Sequence, residues 1–247
     1  MNLIWSEVTY KEIEEIKKEE YIVILPLGSI EVHGPHLPLG SDGIEAWSLA
    51  MELAKRDEKV IVLPPLYYAY APEAFYKAGS INLRAETLLN VLENICDEVG
   101  RNGFRKIFIL NMHGGNYPIL KTFLKELILK RKSYQVYALT DPLKPVHYRM
   151  GEIFETEMIG HACEMETSLL MYLRPELVKM ERVMGEAETG RRYVVEGVES
   201  PMDWTKYAIN GYIGNPTKAS SDKGNKFFKI FVEELLKILK RIREAEY

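Results

Sequence analysis

Residues 21–42 read YIVILPLGSIEVHGPHLPLGSD. The first part, Tyr21 to Leu27, is a continuous apolar run rich in β-branched residues, the pattern of a strand buried on both faces. The second part, Gly28 to Asp42, gathers Glu31, His33, His36 and Asp42 between glycines and prolines that keep it out of helix or strand. A buried strand that empties into a loop of imidazoles and carboxylates predicts a sheet with a metal site at its edge. In open α/β sheets, ligands bind outside the carboxyl ends of the strands.

Working outward, Ile44, Trp47, Leu49, Ala50 and Leu53 recur at helical spacing to about Arg56, which puts Asp42 at or near that helix's N-cap. Apolar strands are expected at Val60 to Leu63, Lys106 to Leu110 and Tyr134 to Leu139, with helices over 85–101 and from Asn116 to about Lys130. This alternation predicts an α/β fold, a three-layer α/β/α sandwich with a mostly parallel central sheet. Upstream, Thr9 and Glu12 form a capping box that opens a short helix. Downstream, helices are expected over 151–158, 162–173 and 222–245, and a strand over 191–198. Residues 67–83, YYAYAPEAFYKAGSINL, read as a long aromatic loop, suited either to substrate specificity or to packing against a neighbouring subunit. No repeat, low-complexity tract or linker interrupts the chain, so 1–247 is expected to be one domain.

Composition narrows the function classes. The chain is 47% hydrophobic and 28% charged with a net charge of -4, which is ordinary for a globular protein and leaves no basic footprint for nucleic acid. No run reaches transmembrane length, and the acidic start MNLIWSEVTYKE is no signal peptide, so no membrane partner is expected. Cys96 and Cys163 make no C-x-x-C pair, and a reducing, cytoplasmic compartment follows.

Two further clusters join the first loop. Asn111-Met112-His113-Gly114-Gly115-Asn116 follows the strand at 106–110, and His161-Ala162-Cys163-Glu164-Met165-Glu166-Thr167-Ser168 begins a helix. Four of the protein's five histidines thus fall in three short segments beside carboxylates and glycines. Taken singly, each has an ordinary structural explanation: a surface pair, a tight turn, or acidic residues complementing a helix dipole. Together, imidazole plus carboxylate without thiolate suits Zn, Mn or Fe in a catalytic site. The reaction class that follows is metal-assisted hydrolysis.

GSIEVHGPHLPLGSD at 28–42, NMHGGN at 111–116 and HACEMETS at 161–168, with GSINL at 79–83 and GYIGNPTKAS at 211–220, resemble the creatininase family in the family's order. The resemblance implies two divalent transition metals, an assembly that is often hexameric, and hydrolysis of a C–N bond in a small cyclic or linear amide by metal-bound hydroxide. By position it implies Glu31, His33, Asp42 and His113 as ligands, with Asp42 bridging, and His161 as the catalytic histidine. His36 falls to a supporting role. The backbone of Gly114, Gly115 and Asn116 is placed to bind substrate, since its N–H groups open a helix.

Three departures from the family's pattern stand out. Gly115 occupies the place of a Glu, a gap that Glu166 is expected to fill, with Glu164 the weaker donor and otherwise a supporting residue. Ala74 follows Glu73 where many relatives have His. Trp5, Trp47 and Trp204 lie outside the motifs, which argues against creatinine itself as substrate. Within the family the alternative is a formamide deformylase acting on a formylaminopyrimidine nucleotide of flavin and deazaflavin biosynthesis, with Lys77, Arg84 or Lys218 near its phosphate. Outside catalysis, the alternative is a metal-binding scaffold.

Overall fold

The computed structural model describes residues 3–157, 159–188, 197–198, 200–201 and 204–245. Its centre is a five-stranded parallel sheet of β1 (Leu3–Ile4), β2 (Ile22–Leu27), β3 (Val60–Val62), β4 (Lys106–Asn111) and β5 (Gln135–Ala138), in the order β1-β3-β2-β4-β5. The helices are α1 (Tyr10–Glu15), α2 (Ser41–Arg56), α3 (Ala85–Arg101), α4 (Tyr117–Lys130), α5 (Glu164–Leu173) and α6 (Ser221–Glu244).

Strand side chains alternate between faces, and each face here is apolar. Ile22, Ile24, Val60, Val62, Phe108 and Leu110 pack with Leu49 and Leu53 of α2, Leu169 of α5 and Phe227, Phe231 and Leu235 of α6. Val23, Leu25, Ile61, Ile107 and Ile109 pack with Leu88 and Leu92 of α3 and Leu120 and Phe123 of α4 on the other face. Two continuous cores on one sheet make the three layers. The expected strand run at 21–27 is therefore fully buried, as its lack of alternation requires.

The chain leaves β2 for β3 on one side and enters β4 on the other, so the sheet's topological switch lies between β2 and β4. Leu27 and Asn111 are register partners across that boundary. The loops that follow them diverge to α2 on one face and α4 on the other, opening a crevice between them. This is why two segments far apart in sequence deliver their histidines to one place.

Three expectations are corrected. The chain opens on β1, too short to carry a periodic signal, before the capping box of Thr9 and Glu12 starts α1. Asp42 lies near the N-cap as expected, inside the first turn of α2, which begins at Ser41, with its carboxylate committed to Ser29 and His33. Among the described residues of 151–158 no α-helix forms. A 3-10 turn spans His147–Glu152, and the Glu164 carboxylate accepts the Glu155 and Thr156 N–H groups. Strand β5 is half-buried because it sits at the sheet edge. The strand expected over 191–198 falls on 191–196, outside the described residues. Among the described residues no helix is long and apolar enough to cross a membrane.

Candidate functional site

The loop from Gly28 to Gly40 folds back on itself, with Glu31 N–H donating to Leu39 O at 2.9 Å. Its return beside β2 needs glycine: a Cβ on Gly28 would lie 2.2 Å from the Gly43 nitrogen. Other segments then brace it. Val32 N–H donates to Ser80 Oγ at 3.0 Å and Ile81 N–H to Ile30 O at 2.9 Å, giving the GSINL motif a structural purpose. Gly34 N–H donates to Gly211 O at 2.7 Å, and Ile213 N–H to His161 O at 2.7 Å, so the GYIG segment ties the first and third clusters together.

The predicted ligands meet. Nδ1 of His113 lies 2.8 Å from Glu31 Oε1 and 2.9 Å from Asp42 Oδ2, and Nε2 of His33 lies 2.9 Å from Asp42 Oδ1. Ser29 Oγ donates to Asp42 Oδ2 at 2.8 Å. Glu31, Asp42 and His113 form one potential cation-binding group, and His33, Asp42 and Glu166 a second that shares Asp42. Glu31, His33 and His161 form a third.

The two histidines that pair with Asp42 are oriented from behind. His33 Nδ1 faces Glu31 O at 3.2 Å and His113 Nε2 faces Tyr70 O at 3.0 Å. A backbone carbonyl on one ring nitrogen leaves the other directed at the carboxylates, the arrangement by which proteins aim a ligating imidazole. His113 also sits in a rigid turn. Its N–H donates to Asn111 Oδ1, and Asn116 Nδ2 donates to the same oxygen at 2.9 Å. Gly114 and Gly115 line the cavity, whereas Asn116 is fully buried in this clamp, holding Tyr70 N–H as well. Asn116 thus lies off the cavity wall, and its own N–H donates to His113 O at 3.2 Å.

Gly115 explains its own departure from the family pattern. A Cβ there would meet His113 Nε2 at 2.4 Å and Tyr70 O at 2.8 Å, so a glutamate cannot occupy this place while Tyr70 O holds His113. Glu166, in the first turn of α5, comes to the centre instead, with one carboxylate oxygen accepting from Ala162 N–H. Ala162 adopts φ 48°, a left-handed conformation that costs an alanine about 1–2 kcal/mol and is found where geometry is constrained by function. Glu164 points elsewhere. It accepts Thr156 N–H at 2.8 Å, Thr156 Oγ1 at 2.6 Å and Lys223 Nζ at 2.6 Å, securing the segment that leads to His161. His36 is buried and bridges the loop to α5 through Thr167 Oγ1 at 2.9 Å.

Two residues were missed from sequence. Trp204 packs on the His161 ring at 4.7 Å between centroids, and His33 lies 4.2 Å from the same ring. It sits in a turn-rich segment whose composition gives no signal. Glu45 is 1% exposed and lines the cavity. It lies one helical turn after Asp42 on the same face of α2, a spacing that would have revealed it. The loop at 67–83 divides: Tyr70, Pro72 and Glu73 line the cavity, while Phe75 is 80% exposed.

Without metal, protons balance the charges. Burial opposes a charged His33, but the Asp42 carboxylate outweighs it and raises the imidazole pKa to about 10. His113 is likewise raised, against burial, by Glu31 and Asp42. Burial raises Glu166 to about 7, and burial with the charge of His33 lowers His161 to about 4. Two protonated imidazoles between carboxylates stand where cations would, so the donor set fits divalent metal. Loading metal at pH 7–8 is expected to release about two protons per chain, because ligating imidazoles are neutral. Calorimetry in buffers of different ionisation enthalpy measures this, and zero release overturns it. The number should fall as pH approaches 10, where His33 has already lost its proton. The metal-free fold should also lose the His33 pairing as pH rises through about 10, and the Asp42 pairing only as pH falls well below 3.8.

A sequence model of the creatininase family, described as creatinine amidohydrolase, matches residues 6–239. The chain belongs to the creatininase family. It is similar to a 3-dehydro-scyllo-inosose hydrolase of Thermotoga maritima, 27% identical over 97% of this chain and 83% of that protein. It is also similar to the creatinine amidohydrolase of Pseudomonas putida, 26% identical over 92% of each. Among solved structures, a creatinine amidohydrolase homologue from Bacteroides fragilis superposes with a TM-score of 0.84 at 28% identity, covering 99% of this chain and 98% of that one. Creatininase structures in Zn–Zn and Mn forms share the fold, with TM-scores of 0.80 and 0.79. As a creatininase-family member the chain is a hydrolase.

Proposed function

We propose that this chain is a metal-dependent amidohydrolase that cleaves the C–N bond of a small cyclic or linear amide. One observation carries the reading: two three-residue ligand groups share Asp42, and their Glu31, His113 and Glu166 line, together with His161, a cavity of about 1100 Å³. Glu31, Asp42 and His113 would hold one ion, and His33, Asp42 and Glu166 the other. Imidazole and carboxylate donors suit Zn, Mn or Fe. When bound, such a pair lowers the pKa of water toward neutrality and polarises a carbonyl.

The chain's own residues supply the rest. His161 Nε2 is held by Val32 O, so Nδ1 is the nitrogen left to take a proton from the attacking water and pass it to the leaving nitrogen. Its neutral state at pH 7 suits that work. Gly114 and Gly115, at the amino end of α4, offer backbone N–H groups to the carbonyl oxygen as negative charge builds on it. Buried free cysteines agree with a reducing, cytoplasmic setting. The exposed side of the 67–83 loop, with Tyr68, Phe75 and Ile81, suits a subunit contact in a homo-oligomer.

Gentle purification followed by elemental analysis should give about two transition metals per chain. The loaded protein should release ammonia or amine from members of a panel of cyclic and linear amides. Absence of metal, or no turnover across the panel, overturns the reading. The nucleotide deformylase is less favoured: among the described residues that line the cavity none is Lys or Arg, and Lys77, Arg84 and Lys218 all lie off its wall.

A further inference from the structure

The cavity holds more negative charge than the ligand groups use. Glu31 and Glu166 belong to those groups, but Glu45, Glu73 and Asp141 also line the wall, with no described Lys or Arg to answer them. Two divalent ions would carry four positive charges against the three carboxylates of Glu31, Asp42 and Glu166, and the one charge left over falls short of the three further acids on the wall. They are graded in depth. Asp141 is exposed at the mouth, Glu73 is half-buried, and Glu45 is 1% exposed at the floor.

Glu45 is the anomaly. Its Oε1 is buried without a hydrogen-bond partner. An unsatisfied buried acceptor is costly, and native structures rarely keep one without a reason. Its charged company is the carboxylates of Glu166 and Asp42, with the weaker opposing influence of His33. No described residue donates a hydrogen bond to that oxygen, and Glu45 lines the cavity a substrate would fill. The missing donor is then supplied from outside the chain.

We propose that the substrate carries a protonated nitrogen group, such as a primary ammonium, beside the scissile amide, and that Glu45 is the specificity residue that binds it. The proposal rests on the amidohydrolase reading above and adds the substrate's charge. Asp141 and Glu73 draw the cation into the cavity, and Glu45 fixes its position relative to the metal floor. A phosphate or carboxylate at this end of the substrate is disfavoured by the same three acids.

The test uses the metal-loaded full-length protein and a matched amide series whose members differ only in a distal ammonium, hydroxyl, methyl or phosphate. The ammonium member should exceed the methyl member in kcat/KM by at least about tenfold, or 1.4 kcal/mol, and this preference should shrink as salt rises. Glu45→Gln should abolish the preference chiefly through KM, with metal content unchanged. Equal kcat/KM for the ammonium and methyl amides, a preference for phosphate, or an equal loss for every member in Glu45→Gln would overturn the proposal. The wild-type series decides this even if Glu45→Gln fails to fold.

Ligand-observed NMR with propylammonium and propanol, neither of them an amide, separates the two readings. Selective binding of propylammonium that Glu45→Gln removes, without turnover of any amide, would sink the amidohydrolase reading and leave the cation site standing. Turnover of amides without charge preference would do the reverse.

Discussion

Replacing His161 with alanine is expected to lower amide turnover by roughly 10²–10⁴-fold, the usual contribution of a positioned acid–base group, while leaving the bound metal unchanged. The two groups that share Asp42 are complete without this ring. What His161 has instead is a fixed setting. Val32 O holds Nε2, and His33 and Trp204 flank the ring at 4.2 and 4.7 Å. A ring so confined keeps one nitrogen directed into the cavity. Because His161 also forms a group with Glu31 and His33, the measurement must be paired with metal analysis. A fall in metal content would make it a ligand rather than a proton carrier, and retained turnover would remove it from the mechanism. His161→Gln, which keeps much of the packing, controls for loss of fold.

Replacing Glu166 with alanine should reduce metal from about two ions per chain to about one and lower its affinity for the second by more than about 100-fold, beyond the effect usual for a residue behind the ligands. His33 and Asp42 would be left as the remaining members of that group. The informative companion is Gly115→Glu in the same background, which restores the carboxylate at the family's usual place. It is expected not to rescue, because its Cβ would fall 2.4 Å from His113 Nε2 and 2.8 Å from Tyr70 O. Rescue would mean that Tyr70 gives way and that the two carboxylate positions are interchangeable. Two metals retained in Glu166→Ala would exclude Glu166 as a ligand.

The layers were legible because burial on both faces leaves unalternating apolar runs such as 22–27, and because α3 ends at the very residue its periodicity reaches. The principal donors were legible because imidazole and carboxylate cluster at strand ends. Less visible was anything set by tertiary partners. Asp42 reads correctly as lying at or near a helix start, but that its carboxylate serves Ser29 and His33 is set by partners outside that helix. The segment at 151–157 has helical spacing that Glu164 overrides by taking its N–H groups. Trp204 reaches His161 from a position more than forty residues further along the chain, a contact that local spacing cannot show. Glu45 was within reach, hidden by its place in an otherwise apolar helix.

Tyr70 sits at the join of two jobs. Its carbonyl steadies His113, and two residues later Pro72 and Glu73 form the cavity rim. The entrance and the centre are therefore built on one stretch of backbone and are not separable modules. Exchanging the 67–83 loop for that of a relative, to import a different substrate range, would also reset the aim of His113. In the other direction, whatever presses on the rim is transmitted to an imidazole at the centre. Evolution of specificity in this chain is accordingly bound to keep the carbonyl of residue 70 in place, leaving the side chains beyond it free to vary.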